Sequence, residues 1–216
     1  MIEVKGLSYK YPKGKFEIKD INLKIKKGYI TALVGANGCG KTTLMESIYR
    51  YCINCSGDVF WDDVKITDKN IVDYHHSVAY VGADAAFTRL FLRDNTTILS
   101  ALYPKFDKEY YDELIKMLDM EKHEFSRFYN ISKGEKMKYS ICFALATLPD
   151  YIIMDEPFAN LDPVVKIDIL EIIQRHMEKY GSGFFISTHL INEIEDVVDY
   201  VVTMKDGCIA SINEAC

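Results

Sequence analysis

A glycine-rich segment with one lysine and two threonines is the part of the chain best suited to hold a polyphosphate. Its spacing is G-x-x-x-x-G-K-[ST], between a short apolar run and a helical pattern. Glycines let the backbone turn tightly and aim N–H groups at one anion, and a helix N-terminus adds its positive end. Lys41 would neutralise the outer phosphates, and the Thr42 hydroxyl could bind magnesium. A chance turn with a lysine is disfavoured by this placement, so nucleotide binding is predicted for Gly35, Ala36, Asn37, Gly38, Cys39, Gly40, Lys41, Thr42 and Thr43.

Two adjacent carboxylates end a second apolar run, residues 151–154. In open parallel sheets, ligands gather at the carboxyl ends of the strands, so this pair can face the same phosphates. Successive side chains of a strand point to opposite sides, which gives the two acids different roles. Asp155 is predicted to hold magnesium and Glu156 to act as general base on water. The alternative is an ordinary solvated acidic pair, which the neighbouring phosphate loop (residues 35–43) disfavours.

Strand patterns alternate with helical ones on both sides of these segments. Short apolar or alternating runs predict strands, and apolar residues at spacings of three and four predict helices. This order predicts an α/β fold: a P-loop NTPase core of mainly parallel sheet, with an antiparallel β subdomain at the start and an inserted α-helical subdomain at about 87–148. Residues 1–216 are predicted to form a single domain. Predicted strands are 29–34, 58–61, 78–81, 151–154, 184–187, 201–204 and 208–212, and predicted helices are 41–51, 164–179 and 191–198.

Composition excludes several classes of protein. Hydrophobic residues make up 49% and charged residues 27% of the chain, which suits a globular core rather than disorder. The net charge of −6 and the lack of a basic cluster disfavour nucleic acid as a partner. The first residues lack the apolar centre of a signal peptide, and no apolar run approaches the roughly 20 residues that span a bilayer. We therefore expect a cytoplasmic location.

The order of these motifs resembles the nucleotide-binding domain of the ATP-binding cassette (ABC) family over nearly the whole chain. Residues 130–135 fall where that family has its LSGGQ signature: Ser132 and Gly134 match, whereas Lys133 and Glu135 depart from it. Alone, this segment would be a helix N-cap with a capping box between Ser132 and Glu135. The resemblance implies that Ser132, Gly134 and Glu135 cradle the γ-phosphate of an ATP bound to the opposite subunit.

Three further positions follow from the same resemblance. Residues 159–162 resemble the family's D-loop, which helps to join two subunits. His189, after a predicted strand, corresponds to the switch histidine that contacts the γ-phosphate; a structural histidine is the alternative. Tyr11 lies where the family places an aromatic ring against adenine, with Tyr9 as its nearest rival.

One family residue is missing. A glutamine normally follows the strand predicted at 78–81, where it senses magnesium and contacts the membrane partner. Ala83 takes its place in this chain, and Asp84 is the only polar neighbour that could serve as a metal ligand. An aspartate cannot donate a hydrogen bond, so we expect altered turnover or a stronger dependence on the partner.

The resemblance implies an ATP-binding and ATP-hydrolysing subunit, with ATP and Mg²⁺ as cofactors. It would dimerise with a second nucleotide-binding subunit around two ATP molecules and drive a separate integral membrane permease, from the inner face of the cell membrane. The form of the signature and the missing glutamine resemble exporter subunits. Alternatives are a non-transport ABC ATPase that acts as an assembly scaffold, and a P-loop kinase or GTPase, which leaves residues 132–135 unexplained. The apolar residues Phe87, Leu90, Phe91 and Leu92 could dock a permease helix or pack within the insertion.

Overall fold

Two sheets organise the part of the chain that the computed structural model describes, namely residues 1–11, 14, 16–50, 55–82, 89–159, 161–189 and 191–215. The first sheet is antiparallel, with the order β2-β1-β4-β5. Its strands are β1 (Ile2–Lys10), β2 (Glu17–Ile25), β4 (Ser56–Trp61) and β5 (Val64–Lys65). Alternate residues of β1, among them Ile2 and Val4, are buried, as expected when one face of a sheet covers a core.

The second sheet is mainly parallel and has the order β10-β9-β3-β8-β7-β6. Its strands are β3 (Ile30–Val34), β6 (Val78–Val81), β7 (Tyr151–Asp155), β8 (Gly183–Thr188), β9 (Tyr200–Lys205) and β10 (Cys208–Glu214). Only the β9–β10 pairing is antiparallel among these described strands. Because β3, β8 and β7 are parallel neighbours, their carboxyl ends bring residues 35, 189 and 156 to one edge.

Six α-helices complete the described fold. They are α1 (Lys41–Ile48), α2 (Ile71–Ser77), α3 (Leu92–Ser100), α4 (Lys108–Met117), α5 (Lys133–Ala146) and α6 (Pro163–Tyr180). Helices α3, α4 and α5 form the insertion between β6 and β7, and α5 is its best-buried member. No helix in the described ranges has the length and apolarity needed to cross a bilayer.

The fold agrees with the predicted class but differs from several predicted elements. The helix predicted at 191–198 is wrong: two short 3-10 turns, Ile191–Glu193 and Glu195–Val197, lie there. Ile194 separates them at φ −134°, outside the helical region, and its side chain is buried in the core. Helix α1 ends before the predicted 51, because Arg50 has φ +69°. Helix α2 was not predicted.

Candidate functional site

The phosphate loop leaves β3 and enters α1 by way of two glycines that no other residue could replace without strain. Gly40 has φ +111° immediately before α1. A Cβ at Gly35 would lie 2.4 Å from the Met204 carbonyl oxygen and 2.7 Å from the Cys39 sulfur. No described side chain caps α1, and its first turn contains no acid. The loop therefore offers backbone N–H groups and a helix dipole to an anion.

Lys41 is held in place by the loop itself. Its Nζ donates a 2.8 Å hydrogen bond to the Gly35 carbonyl and lies 3.2 Å from Oε1 of Glu156. The side chain is only 5% exposed. A buried ammonium group needs such partners, and polyphosphate oxygens would serve it as well as the Glu156 carboxylate does.

Thr42, Asp155 and Ser187 form a chain of short hydrogen bonds. Thr42 Oγ1 donates to Asp155 Oδ2 at 2.6 Å, and Ser187 Oγ donates to Asp155 Oδ1 at 2.6 Å. One hydroxyl and one carboxylate are oxygen ligands that Mg²⁺ accepts while keeping waters and phosphate oxygens in its other positions. The residues present thus fit the predicted magnesium site. Ser187 was not predicted; its position at the end of β8, paired with Asp155, was the available signal.

Glu156 lies between two basic side chains. Its Oε1 faces Lys41, and its Oε2 is 2.9 Å from Nδ1 of His189. Its backbone N–H donates to Ser187 Oγ at 2.8 Å, at an unusual φ of +48°. Non-glycine residues held at positive φ are often found at functional sites, and here the turn aims the carboxylate into the cleft.

A cleft of about 590 Å³ lies beside these groups and is lined by several of them. Glu156 and His189 line it together with most of the phosphate loop, which is the arrangement predicted from sequence. Among the lining residues, Phe16 was not predicted, whereas Ala159 begins the segment predicted to be the D-loop. The full lining consists of Phe16, Asn37, Gly38, Gly40, Lys41, Thr42, Thr43, Glu156, Ala159 and His189.

Tyr11 is adjacent to this cleft but does not line it. Its hydroxyl is 3.2 Å from Thr43 Oγ1, and its ring packs edge-on against Tyr9. Phe16 is the aromatic residue among the described lining residues. Stacking of Tyr11 on adenine stays a prediction, and Phe16 joins Tyr9 as a rival.

The segment around Ser132 lies apart from this cleft and begins α5. Ser132 Oγ accepts a 3.2 Å hydrogen bond from the Glu135 N–H, and Glu135 Oε2 accepts a 2.7 Å bond from the Ser132 N–H. This complete capping box lowers the pKa of Glu135, mainly through the two bonds to Ser132. Ser132, Gly134 and Glu135 line no part of the described cleft in their own chain.

Several predicted positions lie outside the described residues: Ala83, Asp84, Phe87 and Asn160. The neighbouring D-loop residue Asp162 caps α6 by accepting from the Val164 and Val165 N–H groups. In the predicted docking patch, Leu92 is buried in the core, whereas Leu90 and Phe91 are partly exposed.

The sequence pattern of the family described as ABC transporter matches residues 18–159, so the chain belongs to the ABC transporter family. Its relatives include the choline transport ATP-binding protein OpuBA of Bacillus subtilis, 30% identical over 98% of this chain and 57% of the relative. The carnitine transport ATP-binding protein OpuCA of Listeria monocytogenes is 29% identical over 99% of this chain and 55% of its own. The chain thus spans just over half the length of these two proteins.

A third relative, the phosphonates import ATP-binding protein PhnC of Lactobacillus acidophilus, is 29% identical over 96% of this chain and 86% of its own. Among solved structures, an ATP binding subunit of an ABC transporter superposes with a TM-score of 0.87 at 25% identity, covering 99% of this chain and 90% of the other. CbiO1 from Clostridium perfringens, part of the CbiONQ complex, gives 0.79 at 26% identity, covering 99% and 88%. These similarities confirm the predicted family and fold class.

Proposed function

We propose that the chain, as one domain over residues 1–216, binds and hydrolyses ATP and drives a separate membrane permease. The observation that carries this proposal is one cleft lined by Lys41, Thr42 and the Glu156–His189 pair. Asp155 is joined to this cleft by its hydrogen bond with Thr42. Phosphoryl transfer needs few covalent steps from the protein, so catalysis depends on positioning and charge stabilisation. The cleft supports this proposal because its lysine and its hydrogen-bonded side chains can supply charge stabilisation and positioning.

Each side chain has a defined part in this proposal. Lys41 moves from the Glu156 carboxylate to the outer phosphates, where its charge stabilises the transition state. That movement frees Glu156 to orient a water molecule and accept its proton. His189, already within hydrogen-bond reach of Glu156, holds that carboxylate in position. Thr42 and Asp155 would hold Mg²⁺, which supplies charge neutralisation when bound.

A second subunit completes the site. The Ser132 turn carries a helix N-terminus and a hydroxyl, which suit an anion, but it lines no part of its own chain's described cleft. We infer that Ser132, Gly134 and Glu135 serve the cleft of a partner nucleotide-binding subunit, so that two ATP molecules join two subunits. Binding of the γ-phosphate would close this dimer and hydrolysis would release it.

The decisive variant is Glu156→Gln. A glutamine keeps the size of the side chain but removes the base, so hydrolysis should fall by about 10²-fold or more. ATP should still bind, and an ATP-bound dimer should accumulate in size-exclusion chromatography with light scattering. Glu178→Gln, at an exposed glutamate of α6, is the matched control. Hydrolysis at the normal rate by the Glu156→Gln protein would show that the base is another residue.

Permease coupling rests on the family and on relatives that are named for transport. We propose a cytoplasmic location on the inner face of the cell membrane, with the partly exposed Leu90 and Phe91 near the contact. Co-purification with an integral membrane protein tests this proposal against the scaffold alternative, which predicts a soluble partner. Export, as inferred from the signature, stays a prediction: PhnC is named for import, and none of the relatives reported above is named for export.

A further inference from the structure

His123 contacts the capping box of the Ser132 turn from a separate element. It ends the short 3-10 helix Glu121–His123, which follows α4, and its Nε2 lies 2.8 Å from Oε1 of Glu135. Nε2 is shielded from solvent and has no hydrogen-bond partner of good geometry among the described residues. At this distance the contact is an ion pair when the imidazole is protonated. Glu135 thus joins the start of α5 to an imidazole.

The charge of Glu135 matters for the proposed function. Its pKa is lowered, chiefly by its bonds to Ser132, so the carboxylate is anionic throughout the neutral range. An anion in the first turn of α5 suits the helix dipole, but it repels a phosphate that must approach the same turn. A neighbouring cation removes that repulsion without breaking the capping box.

Three other charged groups near this contact have partners of their own. Asp119, two residues beyond the end of α4, pairs with Lys122, and both groups interact electrostatically with the His123–Glu135 pair. Lys138 of α5 donates to the Leu118 carbonyl at 3.1 Å. Glu135 is therefore the carboxylate that His123 contacts directly.

We propose that His123 is a positioning residue: its protonated form holds Glu135 and cancels its charge, so that the Ser132 turn can receive the γ-phosphate carried by a partner subunit. This role rests on the proposed function. Because a histidine side chain is cationic more often at lower pH, closure of the dimer should weaken as the pH rises.

The test measures the dissociation constant of the ATP-bound dimer in the Glu156→Gln background by analytical ultracentrifugation with Mg²⁺-ATP. The proteins with His123, His123→Gln and His123→Arg are compared at about pH 6 and about pH 8. Effects of pH on ATP and on the rest of the protein are common to all three proteins and cancel. At the lower pH, the protein with His123 should form the dimer with about fivefold higher affinity than His123→Gln. The His123→Arg protein should form a tight dimer at both pH values.

Glu135→Gln separates this role from a merely structural one. Without the Glu135 carboxylate, replacing His123 by Gln should no longer change how the dimer dissociation constant depends on pH. Thermal unfolding checks that each variant folds. The inference would be overturned if dimer affinity depended on pH equally in the proteins with His123 and with His123→Gln. It would also be overturned if the full pH effect on dimer affinity persisted in the Glu135→Gln protein. If ATP yields no dimer even with His123 in place, the proposed function itself fails, and the role of His123 fails with it.

Discussion

The two predicted anion cradles are both helix N-termini, but they differ in whether side chains cap them. Helix α1 starts at Gly40, with no side-chain cap and no acid in its first turn. Helix α5 starts at Ser132, with a complete capping box and Glu135 in its first turn. An uncapped helix start leaves its backbone N–H groups free to bind a ligand. A capped start has already paired some of these N–H groups with its own side chains. The first is suited to hold a ligand within one chain, and we propose that the second adds to a site on a partner subunit.

The surroundings of the two starts reinforce this difference. Beside α1, the side chains of Lys41, Thr42 and Asp155 are held by bonds that a nucleotide and its metal can take over. Beside α5, the bonds between Ser132 and Glu135 belong to the helix and must survive when a phosphate arrives. The side chains of the phosphate-loop cleft can therefore exchange their present hydrogen bonds for bonds to a ligand. The hydrogen bonds of the Ser132 turn must remain in place.

The largest expected effect is at the α1 start. Lys41→Ala should weaken ATP binding by at least about 30-fold, because removing one partner of a buried charge pair loses about 2–5 kcal/mol. Isothermal titration calorimetry measures this loss. Lys116→Ala, at an exposed lysine of α4, should bind ATP normally. Unchanged binding in the Lys41 variant would mean that α1 is not the cradle.

The two helix starts can serve different ligands only if the insertion that carries α5 has a fixed orientation to the core. A buried hydrogen-bonded chain supplies one such link. Ser182 Oγ donates to the Pro149 carbonyl at 2.6 Å, so it must accept from Nε2–H of His176 at 3.2 Å. Nδ1 of His176 is left to accept from the hydroxyl of Tyr110, a residue of α4, at 3.2 Å. This series of hydrogen bonds therefore requires a neutral His176 imidazole.

Acid should break this link. Burial lowers the pKa of His176 to about 4, below the ordinary value of about 6.5 expected in the unfolded chain. The unfolded state therefore binds a proton first as the pH falls, and stability is lost below about pH 6.5. Between about pH 7 and pH 5 the loss should be about 2 kcal/mol. Urea unfolding at both pH values measures it, and His176→Gln should lack this part of the slope. An identical slope in the variant would show that His176 does not titrate on unfolding.

The α1 side of the comparison was largely predictable from sequence, because its motif is local. The phosphate loop and the acids Asp155 and Glu156 follow strands whose order fixes where they meet. The sequence could not show that Ser187 ties Asp155 to the Glu156 backbone, since that depends on the register of β7 and β8. Phe16 was missed because no spacing rule connects it to the loop it contacts.

The insertion was predictable in type but not in its contacts. Apolar spacing predicts its helices, yet the contact between His123 and Glu135 joins two elements that no periodic pattern relates. The error at 191–198 has a similar origin. Ile191, Ile194 and Val197 recur at intervals of three, which a 3-10 turn satisfies as well as an α-helix. Burial of Ile194 in the core decides the outcome.

A smaller effect separates the aromatic candidates near α1. Tyr11→Ala should lower ATP affinity by about tenfold if its ring stacks on adenine, since aromatic contacts contribute up to about 1.5 kcal/mol. Tyr11→Phe keeps the ring and loses only the contact with Thr43, so its affinity should stay close to that of the unaltered protein. Titrations of Tyr11→Ala and Phe16→Ala compare the two rings directly. A larger loss in Phe16→Ala would assign the adenine contact to the residue that lines the cleft.

The smallest expected change in stability is at the α5 start, where capping and phosphate binding can be separated in one residue. Ser132→Ala should lower the free energy of unfolding by about 1 kcal/mol, as the loss of an N-cap does. Ser132→Asp should keep that stability, because aspartate caps as well as serine, but its charge should repel the γ-phosphate and prevent the ATP-bound dimer in the Glu156→Gln background. Urea unfolding and light scattering measure the two properties separately. A dimer that forms normally in the Ser132→Asp protein would show that α5 is only a capped helix, because no anion cradle tolerates a fixed negative charge at its centre.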